Sequence, residues 1–327
     1  MTQALQSIVD LIRTSRDFLV TSHIDPDGDA VGCQIAMYSV LKRLGKSVKA
    51  VSEDGVPPTY RFLDKADEVL TSPVDAAEVA IVVDAGALER TGWVADVVKR
   101  SKTIVNIDHH RSNTLFGHLN LVEKEVGACG EIIYRLLTKL GVPFERSEAE
   151  ALYVAIMSDT GCFRFPTTTA ETLSIGAHLI SLGVRPYHVA SEIYWKKPLG
   201  SLKILGSALS SIEVTSDGKV ATMDVTRRMY RETGATNMDT EGFANYPRSI
   251  EGVAVGVLLR ETEEGHFRVS LRAAEGYDVD VVARHFGGGG HTAAAGCRID
   301  GDLETVKARV REAIAAHLGN HNDPSGH

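Results

Sequence analysis

Asp108, His109 and His110 stand consecutively after the apolar run Thr103 to Ile107, so a strand here would deliver three groups able to bind a metal or move a proton to one point. Successive side chains of an extended segment face opposite ways. One histidine is therefore expected to take metal and the other to face a substrate, unless the strand has already turned. A second run, His23-Ile-Asp-Pro-Asp27-Gly-Asp29, places an imidazole and two carboxylates at i, i+4 and i+6. Pro26 blocks a regular helix there, and Gly28 permits a tight turn that aims both carboxylates back toward the preceding strand end. That arrangement favours two neighbouring cations, and the alternative is a turn whose Asp29 only caps the helix that follows. An EF-hand is excluded: with Asp25 as the first loop position, the required glycine falls on Ala30 and the bidentate glutamate on Ala36.

Two further aspartates join these runs. Asp84 ends the apolar segment Ala80 to Val83, just before Gly86 lets the chain turn, and Asp159 lies in Ser158-Asp-Thr-Gly161. Singly, each is as readily a turn former or a cap. Together, His23, Asp27, Asp29, Asp84, His109 and Asp159 mix nitrogen and oxygen donors without a thiolate, a set suited to manganese or a similar divalent ion. Two ions about 3.5 to 4 Å apart, bridged by a carboxylate and a hydroxide, are the usual apparatus for displacement at phosphorus. Further on, Gly287 to Gly296 reads as a glycine- and alanine-rich loop whose backbone N–H groups could approach an anion closely, with a flexible linker as the alternative. Arg272 lies on a strand whose apolar neighbours face the other way, so its guanidinium could clamp a phosphate, although a solvated arginine is the ordinary reading.

The elements that must position these groups follow from periodicity. Apolar residues at Leu5, Ile8, Val9, Leu11 and Ile12 have helical spacing, with no signal-peptide or membrane-spanning character. Strand signals at Phe18–Ser22, Ser47–Ser52, Val79–Val83 and Thr103–Ile107 alternate with helical or irregular stretches, among them a helix from Gly28 to Leu44, which is the rhythm of a mostly parallel sheet flanked by helices. Ligands gather at the carboxyl ends of such strands, and His23, Asp84 and Asp108 each fall just after one. Helices are expected at Cys129–Leu140, Ser147–Ser158, Thr169–Leu182 and Pro186–Trp195. A helix from Leu202 to about Ser210 then leads into strands Ser211–Thr215, Lys219–Asp224, Gly252–Glu261 and Phe267–Ala273, a helix Val279–Phe286 and a final helix Leu303–Leu318. The fold class is thus α/β: a catalytic domain over 1–195, a helical connector over 196–210, a smaller α/β domain over 211–318 and a disordered tail over 319–327.

Composition limits the partners. A formal net charge of -8 argues against a broad basic face for long duplex nucleic acid, because such binding is driven by counterion release from many phosphates. Four cysteines without a C-x-x-C pair read as buried thiols in a reducing cytoplasm. Trp93 and Trp195 stand far from the motifs and read as packing residues, so no aromatic-studded basic tract is seen that could track a long strand.

Jointly, and in this order along the chain, His23-Ile-Asp-Pro-Asp27-Gly-Asp29, Val83-Asp84-Ala-Gly86, Asp108-His109-His110, Ser158-Asp159-Thr-Gly161 and Gly287 to Gly296 resemble the DHH phosphoesterase family, in its NrnA-like branch of oligoribonucleases and pAp phosphatases with a C-terminal DHHA1 domain. The resemblance spans about Phe18 to Ile299. It implies one metal held by His23, Asp27 and Asp84 and another by Asp29, Asp84, His109 and Asp159, with Asp84 bridging. His110 would face the phosphate, with Asp84 and Asp108 completing the catalytic set, while Arg272, Gly288, Gly289, Gly290 and His291 would hold the substrate from the second domain across a cleft. Asp25, an extra acid, and Ala87, where many relatives carry a polar residue, depart from the pattern without touching the ligand set. The implied activity is hydrolysis of very short oligoribonucleotides and of the 3′-phosphate of pAp, with two divalent ions, most naturally Mn²⁺, in a cytoplasmic enzyme that engages no membrane and no long duplex and is compatible with a homodimer. The same site could serve cyclic di-AMP or pApA, or belong to a nucleotide sensor that has lost catalysis.

Overall fold

The apolar runs of the first half form five strands, β1 (Asp17–Thr21), β2 (Ser47–Ala50), β3 (Val79–Val83), β4 (Thr103–Asp108) and β5 (Leu119–Val122), all parallel in the order β2-β1-β3-β4-β5. The structure is a computed structural model describing residues 3–240 and 242–318, and it divides the chain into two compact domains, the first ending at Lys196 and the second starting at Lys197. Alternation along the strands sends Phe18, Val20, Ile81, Val83, Val105 and Ile107 to one buried face and Leu19, Ala80, Val82 and Ile104 to the other. Helices α1 (Gln3–Thr14) and α2 (Gly28–Arg43) cover the first face, and α3 (Val94–Lys99) covers the second. The chain then adds α4 (Cys129–Leu140), α5 (Arg146–Asp159), α6 (Ala170–Ser181) and α7 (Pro186–Ala190), whose buried residues join the first core.

Helix α2 is fixed on the sheet by Gln34, which donates to the Val20 carbonyl at 3.0 Å and the Val51 carbonyl at 2.9 Å. It lies close against α5, because a methyl at Gly32 would sit 2.3 Å from the Ala151 carbonyl oxygen and 2.9 Å from the Ala155 Cβ. Backbone approach of this kind is open only to glycine. The two helices run so that Gly28 meets Ser158, which brings the start of α2 to the end of α5.

The second domain is a six-stranded mixed sheet in the order β10-β11-β9-β8-β7-β6. Its elements are α8 (Leu199–Leu209), β6 (Glu213–Val214), β7 (Val220–Val225), α9 (Arg227–Thr233), α10 (Asn245–Arg248), β8 (Val255–Glu263), β9 (His266–Ala273), α11 (Asp280–His285), β10 (Gly289–His291), β11 (Ala294–Asp300) and α12 (Leu303–Leu318). One face packs Val257, Leu271 and Ile299 against Val282, Val306 and Val310 of α11 and α12. The other packs Met223, Val225 and Leu258 against Ile204 and Ala208 of α8, so the helix expected to be a connector is built into this domain.

The stretch expected as a glycine loop is also different: Gly289–His291 and Ala294–Asp300 form an antiparallel hairpin at the sheet edge, with Gly289 opposite Gly296 and His291 opposite Ala294. Its strand signal is the alternation of buried Ala295, Cys297 and Ile299, hidden among glycines and alanines that are weak strand formers. Strand β5 and helices α3, α9 and α10 are further elements the periodicity did not indicate. The tail 319–327, expected to lack structure, lies outside the described residues. No described helix is long and apolar enough to cross a membrane.

Candidate metal centre

Parallel strands put their carboxyl ends on one edge, and register aligns them: Thr21 pairs with Val82 and Val83 with Ile107. His23, Asp84 and Asp108 therefore leave three neighbouring strands side by side. Asp84 turns with φ of 54°, a left-handed conformation that costs a non-glycine residue on the order of 1–3 kcal/mol. Its amide remains bonded to the Ile107 carbonyl at 2.9 Å, so the strain redirects the carboxylate without breaking the strand pair.

Helix starts bring in the remaining acids. Asp27 caps α2, accepting from the Asp29 and Ala30 amides at 3.0 and 3.1 Å. Asp29, in the first turn and fully buried, accepts from the Cys129 amide at 2.6 Å and the Gly130 amide at 2.9 Å. Those are the first amides of α4, whose own cap residue, Ala128, offers no side-chain oxygen. A carboxylate from a different helix thus neutralises the exposed N–H groups and positive end of α4. Asp159 arrives from the end of α5, set by the close α2–α5 packing.

Three overlapping clusters result: His23, Asp27 and Asp84; Asp29, His109 and Asp159; and Asp84, His109 and His110. His23 Nε2 lies 3.6 Å from Asp84 Oδ2 and 3.9 Å from Asp27 Oδ1. His109 Nε2 lies 3.5 Å from Asp84 Oδ1, 3.3 Å from Asp159 Oδ2 and 3.8 Å from Asp29 Oδ2. The two oxygens of Asp84 thus face different clusters. Divalent ions fit this donor set on two observations. At 3.3 to 3.9 Å, these separations are longer than ordinary hydrogen bonds, which leaves room for a cation among the donor atoms. Asp84 Oδ1 is also buried without a hydrogen-bond partner among the described residues, an expense that a cation would remove.

Protonation follows the same crowding. Burial opposes charge on His23, but the Asp84 and Asp27 carboxylates outweigh it and raise the imidazole to about 9. For His109 burial is likewise overcome, by Asp84, Asp159 and Asp29, and its pKa stands well above the ordinary value. Burial, with Asp27 and Asp84 nearby, lifts Asp159 to about 7. Asp29 is raised too, by burial and by the charges of Asp84 and Asp159. Burial also works against Asp84, yet its histidine neighbours His109, His23 and His110 hold it well below the usual carboxylate range. Without metal, the acids recruit protons onto these histidines, and a divalent ion would displace them.

His110 belongs to a separate chain of contacts. Its Nδ1 donates to Asp108 Oδ1 at 2.7 Å, and the other Asp108 oxygen accepts from Asn113 Nδ2 at 2.5 Å. Asn113 also donates to the Asn106 side-chain oxygen at 2.8 Å. Asp108, completely buried, stands behind His110, so its action passes through the orientation and charge of that ring. The braces Asn106 and Asn113 were not singled out by spacing, although an asparagine inside the apolar run Thr103 to Ile107 is a signal that a polar partner waits in the core.

In the second domain, Arg272 on β9 is half-buried and donates to its own Leu271 carbonyl at 3.0 Å. It has no acidic partner among the described residues, and burial lowers its pKa. The glycines prove to have unequal reasons. A methyl at Gly288 would lie 2.1 Å from the Gly296 carbonyl oxygen and one at Gly290 would lie 2.5 Å from that of Ala294, whereas at Gly289 it would meet only Asp280 Oδ1, at 3.5 Å. The outward amide of Gly290 is already bonded to Asp280 Oδ1 at 2.7 Å, so that N–H does not await an anion as the sequence suggested.

Residues 17–156 match the DHH family, N-terminal domain, and residues 217–316 match the DHHA1 domain. The chain is 34% identical over 302 residues to the bifunctional oligoribonuclease and PAP phosphatase NrnA of Thermus thermophilus, covering 91% of this chain and 89% of that one. It is 29% identical over 315 residues to the protein of the same name from Bacillus subtilis, covering 91% of this chain and 97% of the other. An exopolyphosphatase-related protein from Bacteroides fragilis shares the fold, with a TM-score of 0.91 at 24% identity over 98% of this chain and 99% of that one.

Proposed function

Since the chain belongs to the DHH phosphoesterase family, with a DHHA1 domain following its N-terminal domain, we propose that this hydrolase cuts very short oligoribonucleotides to mononucleotides and removes the 3′-phosphate of pAp to give AMP. The observation that supports this most is Asp84, whose two oxygens face two separate His/Asp clusters. His23, Asp27 and Asp84 would hold one divalent ion, and Asp29, Asp84, His109 and Asp159 the other. The set is mainly carboxylate with two imidazoles and no thiolate, which favours Mn²⁺. When bound, such ions make water acidic enough to attack phosphorus at neutral pH and neutralise charge on the phosphoryl oxygens.

The protein's own groups do the rest. Asp108, braced by Asn113, orients His110 and favours its protonated form against burial, in which the other nitrogen can donate to the phosphate. Arg272, a half-buried cation without a carboxylate partner among the described residues, binds a phosphate of the substrate together with His291, and the open backbone at Gly289 lets the ligand approach. One reaction covers both substrates, because the departing O3′ belongs to the preceding nucleotide in an oligomer and to the same nucleoside in pAp. The names of the Thermus thermophilus and Bacillus subtilis relatives point to the same pair. All four cysteines are free, in keeping with a cytoplasmic place of action.

The test is a substrate panel with Mn²⁺-loaded protein: pAp, oligoribonucleotides of increasing length, pApA, cyclic di-AMP and duplex RNA. Cleavage of pAp and of the shortest oligomers, falling with length and negligible on duplex, is the expected result. Preference for cyclic di-AMP would move the protein to second-messenger turnover, and binding without hydrolysis of any member would make it a sensor.

A further inference from the structure

Trp195, read from sequence as a packing residue, is 64% exposed, and Tyr187, edge-to-face with it at 5.2 Å, is 72% exposed. Both belong to the end of the first domain, where α7 runs into the turn Ser191–Trp195. That turn is anchored beside the metal centre by two contacts. The Cys162 thiol donates to the Tyr194 hydroxyl at 3.2 Å, only three residues beyond Asp159. The turn also packs on Pro58–Tyr60, and the Tyr60 ring lies 3.2 Å from where a Cβ on Gly28 would stand, between Asp27 and Asp29.

The segment after Asp159, tied to this turn through Cys162, carries further exposed groups. The Phe165 ring covers Gly161, a Cβ on which would lie 2.5 Å from its Cζ, yet the residue remains 45% exposed. Arg164 beside it is exposed, held by its own Nε–H to the Gly161 carbonyl at 2.6 Å, and has no acidic partner among the described residues. Exposed aromatic faces and a guanidinium without an acidic partner among the described residues are what unpaired nucleotides require, since every base has a π-face and every linkage a phosphate.

We infer that Phe165, Trp195 and Tyr187, with Arg164, form a nucleobase-stacking subsite that holds the nucleoside adjoining the phosphodiester under attack. The inference rests on the reading of the chain as a hydrolase of short oligoribonucleotides. It assigns base contacts to the catalytic domain itself, and it predicts that selectivity for nucleotides over simpler phosphodiesters arises partly here.

The experiment compares a diribonucleotide with its abasic analogue, identical in backbone and lacking one base, using full-length Mn²⁺-loaded protein. Wild type should favour the complete dinucleotide in kcat/KM by about tenfold, the usual worth of a stacked base. Trp195→Ala should bring that ratio toward one, the double variant F165A/W195A should lower it at least as far, and Trp195→Phe should restore it. Because Phe165 shields the Asp159 turn, the single Trp195 variants decide the matter if the double variant does not fold. An unchanged ratio in Trp195→Ala, with wild type active on both substrates, would overturn this inference and leave the proposed function standing. No activity of wild type on either substrate would remove both. If Trp195→Ala instead altered the sedimenting mass and not the ratio, the aromatic face would be an interface between copies of the chain.

Discussion

Gly288 and Gly289 are adjacent in sequence, yet alanine at these two positions should have opposite consequences. At Gly288 the added methyl would lie 2.1 Å from the Gly296 carbonyl oxygen, 2.6 Å from Cys297 Cβ and 2.8 Å from Cys297 Cα. Ordinary contacts begin near 3.4 Å, so β10 must move away from β11 by about an ångström at several points. Overpacking of this kind costs about 1–3 kcal/mol, and the short ladder could lose a hydrogen bond worth about 1 kcal/mol besides. Gly288→Ala should therefore destabilise the protein by about 2–4 kcal/mol. At Gly289 the methyl meets only Asp280 Oδ1 at 3.5 Å, and φ is not in the left-handed region. Alanine there also restricts the unfolded chain, which gives a change between zero and about 1 kcal/mol of stabilisation. If ligand approaches the bare backbone at Gly289, however, KM for pAp should rise severalfold in Gly289→Ala while stability and metal content hold. Urea unfolding and steady-state kinetics on both variants provide the check. Equal stability of Gly288→Ala and wild type would refute the packing argument, and a stable Gly289→Ala enzyme with unaltered KM would refute ligand approach at the hairpin.

Other expectations follow from the metal centre. In metal-free protein His23 titrates at about 9 against 6.5 in an unfolded chain; a raised pKa gives stability that is complete below 6.5 and lost as pH climbs through 9, at most about 3 kcal/mol. Chelated protein should thus weaken in urea between pH 6.5 and 9 relative to Mn²⁺-saturated protein, and parallel pH profiles would take His23 out of the site. Asp84→Asn should lower affinity for both ions by more than about a hundredfold, beyond the usual effect of groups that merely support ligands; metal content after gel filtration would show it, and full retention would exclude bridging. Asn113→Ala should reduce kcat with metal content intact, because it strips a donor from buried Asp108; loss of metal instead would tie the asparagine to the ligands. Arg272→Ala should raise KM by at least about tenfold, the worth of a charged hydrogen bond, and an unchanged KM would leave the half-buried guanidinium without a role in binding.

Much of the centre was legible because parallel strands end on one edge: apolar runs closing on His23, Asp84 and Asp108 are a one-dimensional signal of a three-dimensional meeting point. Asp159 was legible only through its motif, since its arrival depends on how closely α5 lies on α2, and that depends on Gly32. The hairpin was misread because small residues that permit close strand approach look like those of a mobile loop. Trp195 was misread because distance in sequence says nothing about the Cys162–Tyr194 contact that carries the aromatic turn to the Asp159 segment.

Asp29 does not make the cap that the sequence offered as its alternative, because Asp27 caps the helix that follows and Asp29 meets α4 instead. Its carboxylate accepts from the first amides of α4 while lying 3.8 Å from His109 Nε2. The same charge serves the helix terminus and the cluster, so the fold holds a buried carboxylate beside Asp84 and Asp159 that repulsion alone would expel. A neutral asparagine could keep part of the α4 contact but could not supply the charge. Asp29→Asn should therefore separate the roles: metal affinity falls sharply, while stability of the metal-free protein changes little or rises as a buried charge among like charges is removed. If chelated Asp29→Asn proved several kcal/mol less stable than chelated wild type, capping of α4 would be the dominant role of the residue, and its place in the metal set would have to be given up unless metal affinity fell as well.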